Sequence, residues 1–229
     1  MAWLKRYGAV IVLGIWLWSV MGWALAATPA PGREVVLEKE DWKALNRFFN
    51  YFAEVSLAPF ERDHLSDPAL IEFGLLHSYW NNRQAFEPPS DSGWNRVRAE
   101  VIERAAEKFF GRKPGSRQSI PNDIRYENGY YEIKVKREES FYFAQVTRFI
   151  DHGQGLYTAD LNIYMCTGSC FLGDFNNSPE EWKRLGSVPD LSRKVRALIR
   201  KVEDGGGSRY ILLEYLTLEI LSAKQASAA

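Results

Sequence analysis

Four side chains with polar or aromatic chemistry lie close together in the sequence, at His77, Tyr79, Trp80 and Asn81. They end the stretch DPALIEFGLLHSYWNN, which spans positions 67–82. An imidazole, a phenol, an indole and a carboxamide can hydrogen-bond a small ligand, and their rings can wall a cavity. The sequence therefore predicts that these four residues line a ligand pocket. The alternative is that His77 is a packed residue whose ring nitrogens are satisfied inside the fold.

The stretch that carries these residues has the pattern of an amphipathic helix. Asp67 is expected to cap its N-terminus, and Pro68 suits the first helical position, where a missing N–H costs nothing. Residues of one helical face follow at Leu70, Phe73, Gly74, His77 and Asn81. A glycine inside a helix costs about 1 kcal/mol relative to alanine. Gly74 therefore indicates a point where another backbone segment approaches closely.

The only two cysteines, Cys166 and Cys170, stand four positions apart in the run MCTGSCFLG. In an exported protein this spacing favours a small disulfide loop. Metal binding is disfavoured because His64, His77 and His152 are scattered and give no zinc-ligand spacing. A thiol-exchange role is weaker, since redox pairs usually have two intervening residues. We predict a disulfide, no metal and no cofactor.

No catalytic residue is nominated from the sequence. It lacks a Gly-x-Ser-x-Gly elbow, a phosphate-cradling glycine loop that opens a helix, and a His-Glu-x-x-His motif. We therefore expect a non-catalytic protein that binds a small ligand or an envelope partner. Two alternatives stay open: a cell-envelope hydrolase that uses carboxylates or His77, and an inhibitor-like module that docks a partner through the 166–193 connection.

The N-terminus has the pattern of an export signal. Lys5 and Arg6 precede an apolar run over positions 7–25, and Ala24-Leu25-Ala26 has the small-x-small form of a cleavage site. We predict cleavage after position 26 and a periplasmic or extracellular location. The alternative is a retained membrane anchor, because the apolar run approaches the length of a span.

Removing the first 26 of the 229 residues would leave 203, with a net charge of −2. That charge excludes a nucleic-acid-binding class. No later apolar run is long enough to cross a bilayer. We predict a soluble, monomeric protein with a single domain over 39–222, a flexible lead at 27–38 and a disordered tail at 223–229.

The hydrophobic periodicity changes along the chain from 3.6 to 2 residues. It predicts helices over 40–55, 67–82 and 93–110, the last ended by Gly111. An Asn128-Gly129 hairpin follows, then strands over 141–150 and 156–165, and a short helix capped by Ser178. The 194–200 stretch alternates as a strand, although Leu191, Val195, Leu198 and Val202 also fit a helix. A final strand is predicted over 209–221.

These elements predict an α+β fold in which about three N-terminal helices pack on a curved antiparallel sheet of about six strands. Such a sheet would form a cone with a cavity, as in cystatin-like or nuclear-transport-factor-like architectures. This comparison concerns architecture alone, and architecture does not fix function.

The runs LNRFFNYFAEVSLAPF, DPALIEFGLLHSYWNN, EKFFG, YENGYYEIKV and RYILLEYL resemble a family of exported bacterial proteins. This family is known mainly as hypothetical secreted or lipoprotein-type sequences, many from Gram-positive bacteria. The resemblance covers roughly positions 42–164 and the final predicted strand. It implies export but no activity, cofactor or catalytic residue. The CTGSC loop departs from the family pattern, so the disulfide is a local addition.

Overall fold

A computed structural model of the chain describes residues 32–88, 93–121, 124–135, 140–168, 170, 172–205 and 207–220. The predicted export signal and the predicted tail lie outside these residues. The described residues form an α+β fold with four α-helices and two antiparallel sheets of five and three strands.

The helices are α1 Lys39–Glu54, α2 Asp67–Asn81, α3 Ala99–Phe110 and α4 Pro179–Arg184, with a 3-10 turn at Arg83–Ala85. The strands are β1 Arg33–Glu34, β2 Asn95–Arg98, β3 Ile124–Glu127, β4 Tyr130–Ile133, β5 Ser140–Asp151, β6 Leu156–Thr167, β7 Asp190–Asp204 and β8 Gly207–Ile220. The larger sheet has the order β1-β5-β6-β7-β8, and the smaller has the order β2-β4-β3.

The smaller sheet includes a strand, β2, in a segment that the sequence assigned to a helix. Asn95–Arg98 pairs with β4, and Val97 lies directly opposite Tyr131 in that pairing. Helix α3 therefore begins at Ala99 and not at Gly93. The spacing of Trp94, Val97 and Val101 fits a helix, but buried Asn95 and Val97 also fit the period of two found in a strand. The pairing of residues 95–98 with β4 makes this segment a strand.

The long β7 strand resolves the ambiguity at its own position. Its inward residues Val195, Ala197 and Ile199 are completely buried. The strand pairs along its length with β6 and β8. The strand prediction is therefore confirmed, and the helical alternative for this segment is wrong.

Helix α2 joins two hydrophobic clusters. Leu70 and Phe73 pack with α1, α3 and the large sheet, whereas Ile71 and Leu75 pack with the small sheet. A helix that is apolar on several faces must be buried on several faces. This position explains why α2 is the most enclosed helix and why its C-terminal residues point toward different neighbours.

The N-terminus of α2 differs from its prediction in one respect. The capping residue is Ser66, whose hydroxyl accepts the Ala69 N–H at 3.4 Å. Asp67 is the first residue of the helix, and its carboxylate accepts hydrogen bonds from the N–H and hydroxyl of Ser116. Asp67 therefore ties the helix to the segment that follows α3.

The segment before α1 is paired with the sheet. Arg33 and Glu34 form β1 opposite Asp151 and Ile150, and the Val35 N–H donates to the Phe149 carbonyl. These residues belong to the predicted lead over 27–38. Their pairing covers part of the edge of β5, whose N–H and C=O groups would otherwise be open to a further strand.

The connection between β6 and β7 covers the outer face of the large sheet. Trp182 on α4 packs edge-on against Phe143 and Tyr164, at centroid distances of 5.3 and 5.2 Å. The sulfur atoms of Cys166 and Cys170 lie within disulfide-bonding distance, which confirms the predicted pair. The disulfide lies at the root of this connection, and Cys166 itself packs in the Trp182 cluster.

Asn46 on α1 links three parts of the structure, and its replacement should be costly. The side chain is fully buried. Its oxygen accepts the Val146 N–H at 2.8 Å, and its nitrogen donates to the Asn176 side-chain oxygen at 2.9 Å. Asn46→Ala would leave the Val146 N–H unpaired, so we expect a loss of about 2 kcal/mol of unfolding free energy in urea titrations. Asn162→Ala, which removes one half-buried hydrogen bond to Tyr164, is the control and should cost less than half as much. Equal losses for the two variants would contradict this role.

Candidate functional site

His77 lies inside a box of aromatic rings. Its ring stacks on Phe73 with centroids 5.5 Å apart and meets Tyr51 and Phe109 edge-on at 4.9 and 4.6 Å. The residue is only 9 % exposed. Burial is the main cause that lowers the His77 pKa to about 4, and the nearby charge of Lys108 adds to it. The imidazole is therefore neutral at physiological pH.

Asn81 fixes the orientation of the His77 ring. The Asn81 amide nitrogen lies 3.3 Å from His77 Nδ1 and also donates to the His77 carbonyl and to Glu54 Oε2. An amide nitrogen only donates and has two N–H groups to share among these three acceptors, so Nδ1 accepts one of them in the tautomer whose ring proton is on Nε2. Burial raises the pKa of Glu54, and the bond from Asn81 opposes that rise.

Tyr79 and Trp80 face other neighbours. Tyr79 meets Phe86 edge-on at 5.5 Å, and the Arg83 guanidinium lies 3.9 Å from the centre of its ring. Trp80 is 51 % exposed and contacts Tyr79 edge-on. Of the four residues predicted to share a pocket, His77 and Asn81 thus lie together against α1, whereas Tyr79 belongs to the small-sheet cluster. Their role as a joint ligand pocket stays a prediction.

A cleft of about 150 Å³ opens beside the His77 box, between α1, α3 and β8. Its lining residues are Ala44, Arg47, Phe48, Tyr51, Lys108, Phe109, Arg209 and Tyr210. Two of them, Tyr51 and Phe109, are also walls of the box around His77. None of the four predicted pocket residues lines this cleft, but Tyr51 and Phe109 contact both the cleft and His77.

The cleft combines aromatic walls with positive charge. Phe48 lies 6.0 Å from Tyr210 and 6.2 Å from Phe109, and Tyr51 meets Phe109 edge-on at 5.3 Å. The three charged lining residues are all cations, and no lining residue is acidic. A cluster of rings and cations without a carboxylate is typical of a site for an anion that has an apolar body.

Two cations of the cleft, Arg209 and Arg47, are held in different ways, and Tyr210 adds a hydroxyl. Arg209 bonds to the Asp204 carboxylate at 2.8 Å and donates to the Lys108 backbone carbonyl, which fixes β8 against α3. Arg47 is exposed and forms no ion pair with a described residue. Burial, followed by the charges of Tyr157, Asp41 and Asp151, raises the pKa of Tyr210. Its hydroxyl therefore stays protonated and can donate to an anion.

The sequence reasoning missed the cleft, although it contained one signal. The stripe that includes Phe48 and Phe52 was assigned to the core, and Lys108 was interpreted as part of a solvated face. However, α1 has four aromatic residues within five positions, at Phe48, Phe49, Tyr51 and Phe52. Such a run covers more than one helical face. One aromatic face therefore had to lie outside the central core.

Comparison of this chain with protein-family models, curated proteins and solved structures finds no match. In the described part of the chain, no group of three or more His, Cys, Asp or Glu residues is arranged to hold a metal ion. Within those same residues, no helix combines the length and apolar character needed to cross a bilayer.

Proposed function

We propose that this chain is an exported, non-catalytic binding protein whose cleft between α1, α3 and β8 takes a small anion with an apolar body. The observation that carries the proposal is the composition of the lining: four aromatic rings, three cations and no acid around one opening. The anionic group would lie among Arg47, Lys108 and Arg209. The apolar body would pack against Phe48, Tyr51, Phe109 and Tyr210.

The volume of the cleft limits the size of the ligand. Sites for drug-sized molecules usually measure about 300–1,000 Å³. A cleft of about 150 Å³ instead suits one aromatic ring or a short acyl chain with a single anionic group. Phenylacetate is the simplest probe with both parts, and phenylacetamide is its neutral analogue.

The export and finer architecture form part of the same proposal. The N-terminal apolar pattern and the Cys166–Cys170 pair support an oxidising compartment outside the cytoplasm. The resemblance to exported bacterial proteins supports the same location. We propose that the large sheet curves around α1 and α3 as in cystatin-like or nuclear-transport-factor-like cones, with the cleft at the mouth of that curve. His77 is neutral and enclosed by rings, a setting that favours packing over acid–base catalysis.

Calorimetric titration tests the cleft. We expect phenylacetate to bind with at least tenfold higher affinity than phenylacetamide, because only the carboxylate meets the cations. Lys108→Gln and Arg47→Gln should each weaken phenylacetate binding about three- to tenfold. Arg104→Gln, an exposed cation one turn earlier on α3, is the matched control and should leave the affinity unchanged. Equal affinity for the acid and its amide, or no binding of either, would overturn the proposed ligand class.

A further inference from the structure

The large sheet contains a buried cationic group without an anionic partner, at a position remote from the cleft. Arg193 on β7 lies opposite Ile163 on β6, which is fully buried. It shares the alternation of Val195 and Ala197, so its side chain starts on the core-facing side of the sheet. Its Nε and Nη2 atoms are buried and have no hydrogen-bond partner.

Tyr215 on the neighbouring strand β8 places a hydroxyl at the same site. The residue is completely buried, and its hydroxyl also lacks a hydrogen-bond partner of normal geometry. Burial raises the Tyr215 pKa to about 12, while the positive charge of Arg193 and a hydrogen-bonding contact with its guanidinium oppose that rise. The hydroxyl is therefore protonated and can donate a hydrogen bond.

Arg196, three positions along the same strand, shows what these two guanidinium atoms do when an anion is present. Its Nε donates to one Asp160 carboxylate oxygen at 2.7 Å, and its Nη2 donates to the other at 3.1 Å. The same pair of donors on Arg193 makes no hydrogen bond of normal geometry, although the guanidinium lies close to the Tyr215 hydroxyl. Among the described residues, no carboxylate forms an ion pair with Arg193. An uncompensated buried charge is costly unless a partner supplies the opposite charge.

We propose that Arg193 and Tyr215 form a carboxylate-binding site. The Nε–Nη2 edge would hold the two oxygens of one carboxylate in the geometry that Arg196 and Asp160 show, and the Tyr215 hydroxyl would donate a third hydrogen bond. A planar monoanion matches a single planar guanidinium better than a dianionic phosphate does, because one positive charge faces it.

This site is separate from the proposed cleft. Arg193 pairs with Ile220 near the end of β8, whereas Tyr210 lines the cleft near the start of that strand. Tyr215, the residue of the carboxylate site nearer to Tyr210 along β8, follows it by five residues, which span roughly 17 Å of extended strand. The carboxylate site therefore does not depend on the function proposed for the cleft, and the two can be tested independently.

Titration of the full chain with sodium acetate, at ionic strength held constant with sodium chloride, tests the proposal. In ¹⁵N-detected spectra we expect a saturable shift of the Arg193 Nε–H resonance. This resonance is assigned by its absence from the spectrum of Arg193→Lys. The Arg196 Nε–H, already bonded to Asp160, should not move. Tyr215→Phe keeps the ring and should weaken acetate binding about tenfold through the loss of one charge-assisted hydrogen bond.

Thermal unfolding supplies a second readout. Acetate should raise the Tm of the natural chain and of Lys108→Gln, which removes a cation of the cleft, but not that of Arg193→Lys. Arg196→Lys is the matched control and should keep the acetate response. The absence of a saturable shift, the same shift with chloride, or tighter binding of inorganic phosphate than of acetate would each overturn the proposal. If Arg193→Lys fails to fold, the titrations of the natural chain and Tyr215→Phe still decide it.

Discussion

Gly74→Ala should lower the free energy of unfolding by about 2–3 kcal/mol. A Cβ atom at position 74 would lie 2.7 Å from Ile102 Cγ2 and 2.7 Å from the Ile102 carbonyl oxygen. The first contact can be relieved by a side-chain rotation, but the second is with the backbone of α3. Separating α2 from α3 would disturb both hydrophobic clusters, and overpacking of this kind typically costs 1–3 kcal/mol. Urea unfolding measured by circular dichroism gives the difference directly.

The direction of this effect opposes the local preference of the helix. Alanine favours a helix over glycine by about 1 kcal/mol, so an unconstrained position would become more stable. Glu72→Ala, at an exposed position on the same helix, is the control and should change stability by less than about 0.5 kcal/mol. A more stable Gly74→Ala variant would show that α2 and α3 are not in close contact at this position.

Gly74 also illustrates which structural features are readable from the sequence. A glycine inside an apolar helical pattern indicated a close backbone approach, and the structure places the Ile102 backbone there. The Asn128-Gly129 turn has positive φ at both residues, 51° and 84°, as that hairpin type requires. Gly111 ends α3 with φ 71°. The two turn signals depend on the conformational preference of one or two residues, so they could be recognised without knowledge of distant contacts.

Features that depend on distant segments were harder to predict. The stretch 95–98 satisfies both periods, and only the pairing with β4 makes it a strand. With this pairing, β2, β3 and β4 form a separate three-stranded sheet, whereas the sequence predicted a single sheet. Similarly, Ser66 and Asp67 are both good capping residues. The Asp67 side chain does not cap the helix because its carboxylate accepts hydrogen bonds from the N–H and hydroxyl of Ser116, 49 positions away.

In the candidate site, too, local features could be predicted from the sequence and features built from distant segments could not. The sequence identified His77 as either a packed residue or a ligand group, and its contacts with Phe73 and Phe109 explain why burial is possible for it. The cleft draws on α1, α3 and β8, whose lining residues lie between positions 44 and 210. No local pattern brings Arg47, Lys108 and Arg209 together. Their convergence follows from the packing of α1 and α3 on the same side of the large sheet.

Acidification should destabilise this protein through His77, by about 3 kcal/mol between pH 7 and pH 4. The folded-state pKa is about 4, whereas an unfolded histidine titrates near 6.5. Between these values the unfolded chain binds more protons than the folded one, so stability falls as pH falls. The contribution is complete above about pH 7 and is lost progressively as the pH approaches 4. Urea unfolding in steps across this range measures it.

His77→Phe separates this effect from the other titrating groups. A phenyl ring can keep the stack on Phe73 but binds no proton, so the variant should lack the His77 part of the pH dependence. Glu54, whose pKa is raised by burial, acts in the opposite direction and is present in both proteins. Parallel stability–pH curves for the natural chain and His77→Phe would contradict the assignment.

Lys108→Gln removes the cation that helps to lower the His77 pKa, so the stability of this variant should depend less steeply on pH than that of the natural chain. Because Lys108 also lines the cleft, an anion bound there should oppose the charge that His77 experiences. Phenylacetate should therefore reduce the destabilisation at low pH in the natural chain but not in His77→Phe.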